Sequence, residues 1–488
     1  MRSRHLFALA LLLWPAGANA QGASPAKPAS PQAAPATKPA AAAPPAPTPK
    51  NAEQPATADA PPGTAEADAA EAARNAEKPG PSIRLEDAIR LALENNERAL
   101  KAPLRVQTAE GQLDRARTAF YPSLVAGGSG VWRATEDRAG NNITTSGTVT
   151  LSQPILAPSA FPQYSQSSHQ LESEKWGAAQ DKRQLAFDTA KSYLQVLTAE
   201  RVLEAANRRV DRARQNLADA EARGSAQLTS TNDATRSRID LATALSQVAQ
   251  AEGSMQKTRL QLEFLMGKKL EGGLAAPDRT TASAERYGGT PAATLSAAID
   301  RRPDVRSSHE RTEALRASAR EPLYRLIPSV NAQGQMRILP APLATEKALD
   351  ETVTLNLTWT IFDAAARYAD RKTRLAQANS QALDEQLLKR SVETDVKIAI
   401  VALRTARQSY TIANDALVSA QKNVEETEIL YRQGLAKALE VTDANSKRFD
   451  AEVNRATAKL QMEQAYLDLR NALGFGPIDD DNSNAGAR

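Results

Sequence analysis

The sequence predicts a mixed fold, long coiled-coil α-helices joined to membrane β-strands, built from two copies of one unit. Three patterns predict it: a seven-residue apolar period over long stretches, a two-residue period over short ones, and similar segments recurring about two hundred residues apart. The low aromatic share of 4%, with abundant Ala, Leu, Gln, Glu and Arg, fits long helices better than a globular α/β domain.

The chain opens on an export signal at residues 1–20. Arg2 and Arg4 form a basic start, Leu6 to Trp14 an apolar core, and Ala18-Asn19-Ala20 a small-residue cleavage site. That core is shorter than the roughly 20 residues of a membrane-spanning helix. No cysteine occurs, so neither a disulfide nor a lipidated cysteine is available. Residues 21–80 are mostly Ala and Pro with almost no large apolar side chain, too little burial to offset the entropy of ordering, and are expected to stay disordered. Residues 477–488, with the acidic run Asp479-Asp480-Asp481, are expected to form a disordered, solvated tail.

Two repeats lie between, at residues 81–275 and 276–476. Leu85-Glu86-Asp87-Ala88-Ile89 matches Leu295-Ser296-Ala297-Ala298-Ile299, and Tyr121-Pro122-Ser123-Leu124 matches Ile327-Pro328-Ser329-Val330. Thr148-Val149-Thr150-Leu151 recurs as Thr352-Val353-Thr354-Leu355, and Leu265-Met266-Gly267 as Ala472-Leu473-Gly474. Each repeat reads as a short helix, two strands and a long helical hairpin.

In the first repeat, strands are expected near 123–133 and 146–153, where Gly127, Gly128 and Gly130 weaken the alternation. The helix that follows, over about 165–223, would be roughly 90 Å long at 1.5 Å per residue. Along it Val196, Leu203, Val210 and Leu217 pair with Ala199, Ala206, Ala213 and Ala220, a seam of one large and one small residue that lets helices approach closely. In the second repeat, Val330, Ala332, Gly334, Met336 and Ile338 alternate with polar residues. So do Val353, Leu355, Leu357, Trp359 and Ile361, read as the membrane-facing side of a strand over 352–361. A half-buried soluble sheet shows the same alternation, but runs of nine or ten residues match a tilted membrane strand, and Trp359 suits an interfacial position. Leu403, Tyr410, Leu417, Val424 and Tyr431, with Ala399, Ala406, Ala413 and Ala420, repeat the coiled-coil seam. Four strands cannot close a membrane barrel, whose smallest number is about eight, and open edges are not tolerated in lipid. Several chains must therefore pool their strands.

The ordered part resembles the TolC-like outer-membrane efflux family. The residues that carry the resemblance are Pro122 and Pro328 before the strands, Ser152-Gln153-Pro154-Ile155-Leu156, and Ile361-Phe362-Asp363. The most specific are Tyr431-Arg432-Gln433-Gly434, Glu440-Val441-Thr442-Asp443-Ala444 and Ala472-Leu473-Gly474. The resemblance implies a homotrimer whose twelve strands form one β-barrel in the outer membrane, continuous with a twelve-helix α-barrel across the periplasm. It implies outer-membrane lipid around the barrel, a periplasmic adaptor (membrane fusion) protein and an inner-membrane transporter of the RND or ABC type. It also places Glu440 and Asp443 at the periplasmic gate, three copies of each, and makes Gly224 and Gly434 the hairpin tips that touch the adaptor. As plain chemistry, Glu440 and Asp443 would decorate a solvated helix start, and the two glycines would only end helices. Asp233 stands opposite either Glu440 or Asp443, and the sequence leaves it out of the gate.

The expected function is passage of small molecules to the exterior through a tripartite export system. A duct for type I protein secretion shares every one of these features, and a pore-less periplasmic coiled-coil scaffold is the reading outside the class. Catalysis has no inventory. The three histidines lie far apart, no thiol exists, and no metal-ligand spacing or phosphate-binding glycine loop occurs, so no cofactor and no metal are expected. The net charge of +4 on 488 residues, with acids and bases interspersed, gives no footprint for nucleic acid.

Overall fold

The structure, a computed structural model, describes residues 82–135, 142–227, 231–286, 291–339 and 348–478, all within one compact unit. The export signal, the Ala/Pro-rich segment and the tail beyond residue 478 lie outside the described residues.

The first repeat begins with α1 (Leu85–Asn95) and α2 (Glu97–Arg117). Leu85, Ala88, Ile89 and Ala92 bury one face of α1 at helical spacing. Asn96 then serves two helices: its side-chain oxygen accepts from the Arg98 N–H at 2.9 Å, and its amide donates to the Leu265 carbonyl at 2.9 Å. Strands β1 (Ser123–Trp132) and β2 (Ile143–Leu156) follow, then the helices α3 (Ala160–Ser225) and α4 (Thr231–Met266). The second repeat runs through α5 (Asp278–Arg286), α6 (Pro291–Arg301), α7 (Pro303–Tyr324), β3 (Ser329–Ile338), β4 (Leu349–Thr358), α8 (Ala366–Arg432) and α9 (Ala438–Ala472). The longest helices, α3 and α8, have 66 and 67 residues, about 100 Å each at 1.5 Å per residue.

The helices form a wall rather than a bundle. Two shorter helices lie end to end along each long one: α2 and α4 along α3, α7 and α9 along α8. The halves join where α3 packs on α7 and on α9. The heptad seam appears in the burial of α8: Val396, Leu403, Leu417, Val424 and Tyr431 are buried seven or fourteen residues apart, with Ala399 and Ala406 beside them. In α3, Val196, Ala206, Val210, Ala213 and Ala220 are buried. One core joins α1, α3, α4 and α9 through Ile89, Phe187, Tyr193, Leu262, Met266 and Leu467. A second joins α8 and α9 through Val396, Leu403, Met462, Tyr466 and Leu469.

The four strands form one antiparallel sheet in the order β1-β2-β3-β4. The register pairs Leu124 with Leu151, Val149 with Met336, Ala332 with Leu355 and Gly334 with Val353, which sets one apolar face. The other face carries Ser129 bonded to Ser146 at 2.9 Å and Asn331 donating to Ser152 at 3.0 Å. In the first repeat Val125 and Val131 fall on this polar side, opposite Thr150 and Thr144.

Two strands differ from the sequence expectation: the second runs over Ile143–Leu156 rather than 146–153, and the fourth is displaced. The fourth strand covers Leu349–Thr358, not 352–361, so Trp359 and Ile361 lie beyond its end. Pro328 precedes the start of β3 at Ser329, the partner of Thr358, and past that pair β4 has no neighbour within the chain. The chain instead turns into α8 through Ala364 and Ala365, both at positive φ (52° and 68°). Asp363 accepts from the Arg367 N–H and Nε, and Arg367 Nη2 donates to the Thr360 carbonyl at 2.8 Å, which holds the turn. Trp359 folds back and donates from Nε1 to the Leu326 carbonyl at 3.0 Å.

Candidate functional site: an apolar sheet face and a helical tip

Two regions carry the expected functional residues, at opposite ends of the long helices. At the sheet end, Val353 is 91% exposed, and Leu355, Leu357, Leu124 and Leu151 on the same face are exposed as well. A contiguous apolar sheet face is costly in water and suits hydrocarbon. Ten residues at about 3.4 Å, tilted near 45°, span roughly the 25 Å apolar band of a membrane barrel. Ile361 is 76% exposed beside the strand end, although it is not part of the strand.

Several exposed aromatic residues gather at this end. Trp132 sits at the far end of β1, and Trp359, Tyr121, Phe161, Phe362 and Tyr368, all exposed, surround the junction of strands and helices. Phe120 and Phe161 stack at 5.1 Å. The cluster at the junction, with Trp132 at the far end, fits the aromatic girdles that flank the apolar band of a membrane barrel. The sequence reading found only Trp359, since the others are scattered along the chain and meet only through the fold. Among the described residues no helix is long and apolar enough to cross a membrane, which says nothing of strands.

At the other end, α8 stops at Arg432 and Gly434 takes φ +78°, with the Leu435 N–H donating back to the Leu430 carbonyl at 2.9 Å. This is a helix stop that needs a residue tolerant of positive φ. Tyr431, Ala436, Ala438 and Val441 form a small core beneath the turn. Glu440 and Asp443 are exposed on one face of α9, each followed by a buried residue, Val441 and Ala444. Glu440 is in the first turn, where the helix dipole favours a carboxylate. Asp443 pairs with Lys447 at 2.7 Å, both exposed.

Gly224 does not form the other tip. It lies inside α3, with nothing within 4 Å of where a Cβ would stand, and the left-handed residue is Gln227, at φ 57°. The sequence pointed to Gly224 because glycine is the usual residue at such a stop, and here glutamine holds the position. The structure also settles where Asp233 stands. Gln227 and Gly434 are 207 residues apart, as are the helix-ending Gly267 and Gly474, both at positive φ. The same offset pairs Asp233 with Glu440, each the third residue of its helix. Counting back from the two glycines that end the hairpins would have found this in the sequence.

The two tips are tied within the chain. Arg223 donates from Nη1 to the Tyr431 carbonyl at 3.0 Å, and its guanidinium stands 4.3 Å from the Tyr431 ring centre. Burial raises the Tyr431 phenol above its ordinary value; Arg223 opposes this, and Asp233 and Asp219 add to it. Asp233 therefore lies close enough to Tyr431 to be felt there. Among the described residues no group of three or more His, Asp or Glu is placed to hold a metal ion.

The family described as "Outer membrane efflux protein" matches this chain over residues 88–268 and 294–475, one stretch in each repeat. The fold matches that of CusC, whose crystal structures concern conformational changes accompanying folding and transmembrane channel formation. That match has TM-score 0.71 and 18% identity and covers 80% of this chain and 92% of that one. A membrane protein from Pseudomonas aeruginosa matches at TM-score 0.71 and 19% identity, over 80% and 92% of the two chains. The CmeC outer membrane channel of Campylobacter jejuni matches at TM-score 0.69 and 16% identity, over 82% and 88%. No curated protein matches the sequence.

Proposed function

The chain belongs to the outer membrane efflux protein family, and from that premise we propose that it forms a homotrimeric channel carrying small molecules from a periplasmic adaptor and an inner-membrane transporter to the exterior. The observation that carries the reading is that the protomer is an open wall at both ends. The sheet ends in two unpaired edges, β1 and β4. The helical layer ends in α2 and α4 on one side, with Leu100, Leu104, Leu260 and Phe264 exposed. On the other side is α8, with Leu387, Ile398, Val401, Ile412 and Val418 exposed. An unpaired strand edge in hydrocarbon costs several kcal/mol per orphaned polar group. Further copies of the chain remove both sets of edges at once, and three copies bring twelve strands.

In this reading Glu440 and Asp443 ring the periplasmic opening, Gly434 with its neighbours meets the adaptor, and Val353, Leu355 and Leu357 face lipid. Polar side chains on the other sheet face, such as Asn331, Gln333 and Asn356, line the lumen. The native mass of the detergent-extracted protein tests the assembly, and single-channel recording in planar bilayers tests the pore. The expected result is three chains per particle and a stable ohmic conductance. A monomeric particle with no conductance would overturn the proposal.

A further inference from the structure

A cavity of about 520 Å³ lies where α3, α8 and α9 meet beneath the segment before α5. Five cationic side chains line it against three carboxylates. Each of two carboxylates is already shared. Glu204 pairs with Arg208 at 2.9 Å and Arg201 at 3.5 Å. Glu452 pairs with Arg208 at 3.0 Å and Arg448 at 3.1 Å. The third, Glu463, is buried, accepts from the Thr281 hydroxyl, and stands 3.7 Å from Lys459. Burial raises its carboxyl above the ordinary range.

Two donors on α9, one turn apart, are left with weak partners among the described residues. Arg455 donates from Nε to the neutral side chain of Asn414 at 2.9 Å, and Lys459 has only the distant Glu463. Burial, and next the repulsion of Arg448, hold the Arg212 guanidinium below its ordinary value. A concave, partly desolvated site with excess fixed cations focuses field on an anion.

We propose that this cavity binds a small soluble multivalent oxyanion, of phosphate or polycarboxylate chemistry, through Arg455 and Lys459. The site begins at Leu194, 34 residues along α3 from its start at Ala160, about 50 Å from the strands at 1.5 Å per residue. That distance excludes a lipid headgroup as the occupant. The site lies on a single chain, so the inference does not depend on the channel reading.

Calorimetric titration of the full-length protein in detergent tests it, with inorganic phosphate and citrate as probes and chloride at matched ionic strength as the reference. Saturable binding at one site per chain is expected. Arg455→Gln and Lys459→Gln should each weaken it about tenfold, the scale of one lost charged hydrogen bond. Lys422→Gln, whose charge pairs with Glu426 on α8 outside the cavity, should bind as the unaltered protein does. Heats equal to those of chloride would overturn the proposal, as would unchanged affinity in both cavity variants. If Arg455→Gln does not assemble, Lys459→Gln decides alone.

Discussion

At Gly474 the backbone takes φ +83°, and a Cβ added there would stand 2.9 Å from the Cβ of Arg301. Gly267 repeats the arrangement against Asn95, at 3.0 Å. Both demands, a left-handed conformation and a close approach, exclude any larger residue. Gly474→Ala should therefore cost about 1–3 kcal/mol and lower the melting temperature by several degrees, with Gly267→Ala behaving alike. Glu463 makes a pH-dependent prediction. Its carboxyl is raised by burial, against the Thr281 hydrogen bond and Lys459. A raised folded value means that the stability from the protonated form is present below the unfolded value, about 4.3, and is lost as pH rises through the folded value. Glu463→Gln, neutral at every pH, should melt near the unaltered protein at pH 4 and increasingly above it toward pH 8. Parallel melting curves across that range would show that Glu463 is ionised without cost.

Among the elements, the long helices were the most legible. A seven-residue period of large residues beside alanines leaves one geometric solution, and burial along α8 follows it from Val392 to Tyr431. Turns were less legible. Gly224 drew the first tip three residues too early, since Gln227 tolerates the left-handed turn without announcing it. The end of β4 was misplaced for a different reason. Trp359 and Ile361 continue the apolar alternation, but pairing needs a neighbour, and β3 supplies none beyond Ser329. The strand's register itself makes a prediction. Val353 pairs with Gly334 on the apolar face, and Thr354 pairs with Gln333 on the polar one. Arginine in place of Val353, near mid-strand, should cost about 2–4 kcal/mol in membrane stability. Arginine in place of Thr354 should leave stability nearly unchanged and alter conductance. Unfolding in lipid vesicles, together with bilayer recording, separates the two, and exchanged effects would mean a register off by one.

For the molecule as a whole, the proposed gate depends on symmetry that one chain does not contain. In a single protomer Glu440 has no side-chain partner among the described residues, and Asp443 holds only Lys447. Neither joins the heptad seam or the sheet; within the chain the helix dipole favours Glu440 and the exposed Lys447 pairs with Asp443, roles worth about 1 kcal/mol or less each. In the proposed trimer, the threefold axis would bring six carboxylates from the two positions to the periplasmic opening. Asp233, at the position equivalent to Glu440 in the first repeat, would add three more nearby. Like charges at such spacing disfavour joint ionisation, and a cation in the opening relieves the repulsion. Glu440→Ala with Asp443→Ala should therefore reduce cation selectivity and weaken block by multivalent cations, with the native mass of the trimer unchanged. Adding Asp233→Ala should extend the loss of selectivity, whereas Asp219→Ala, on the neighbouring α3, should not. The Arg223–Tyr431 contact predicts where mechanical control resides, since it fastens one hairpin tip to the other. Arg223→Gln should raise the frequency of channel opening without altering selectivity. Selectivity unchanged in the triple variant, with assembly intact, would place the constriction elsewhere along the tunnel while leaving the channel itself in place.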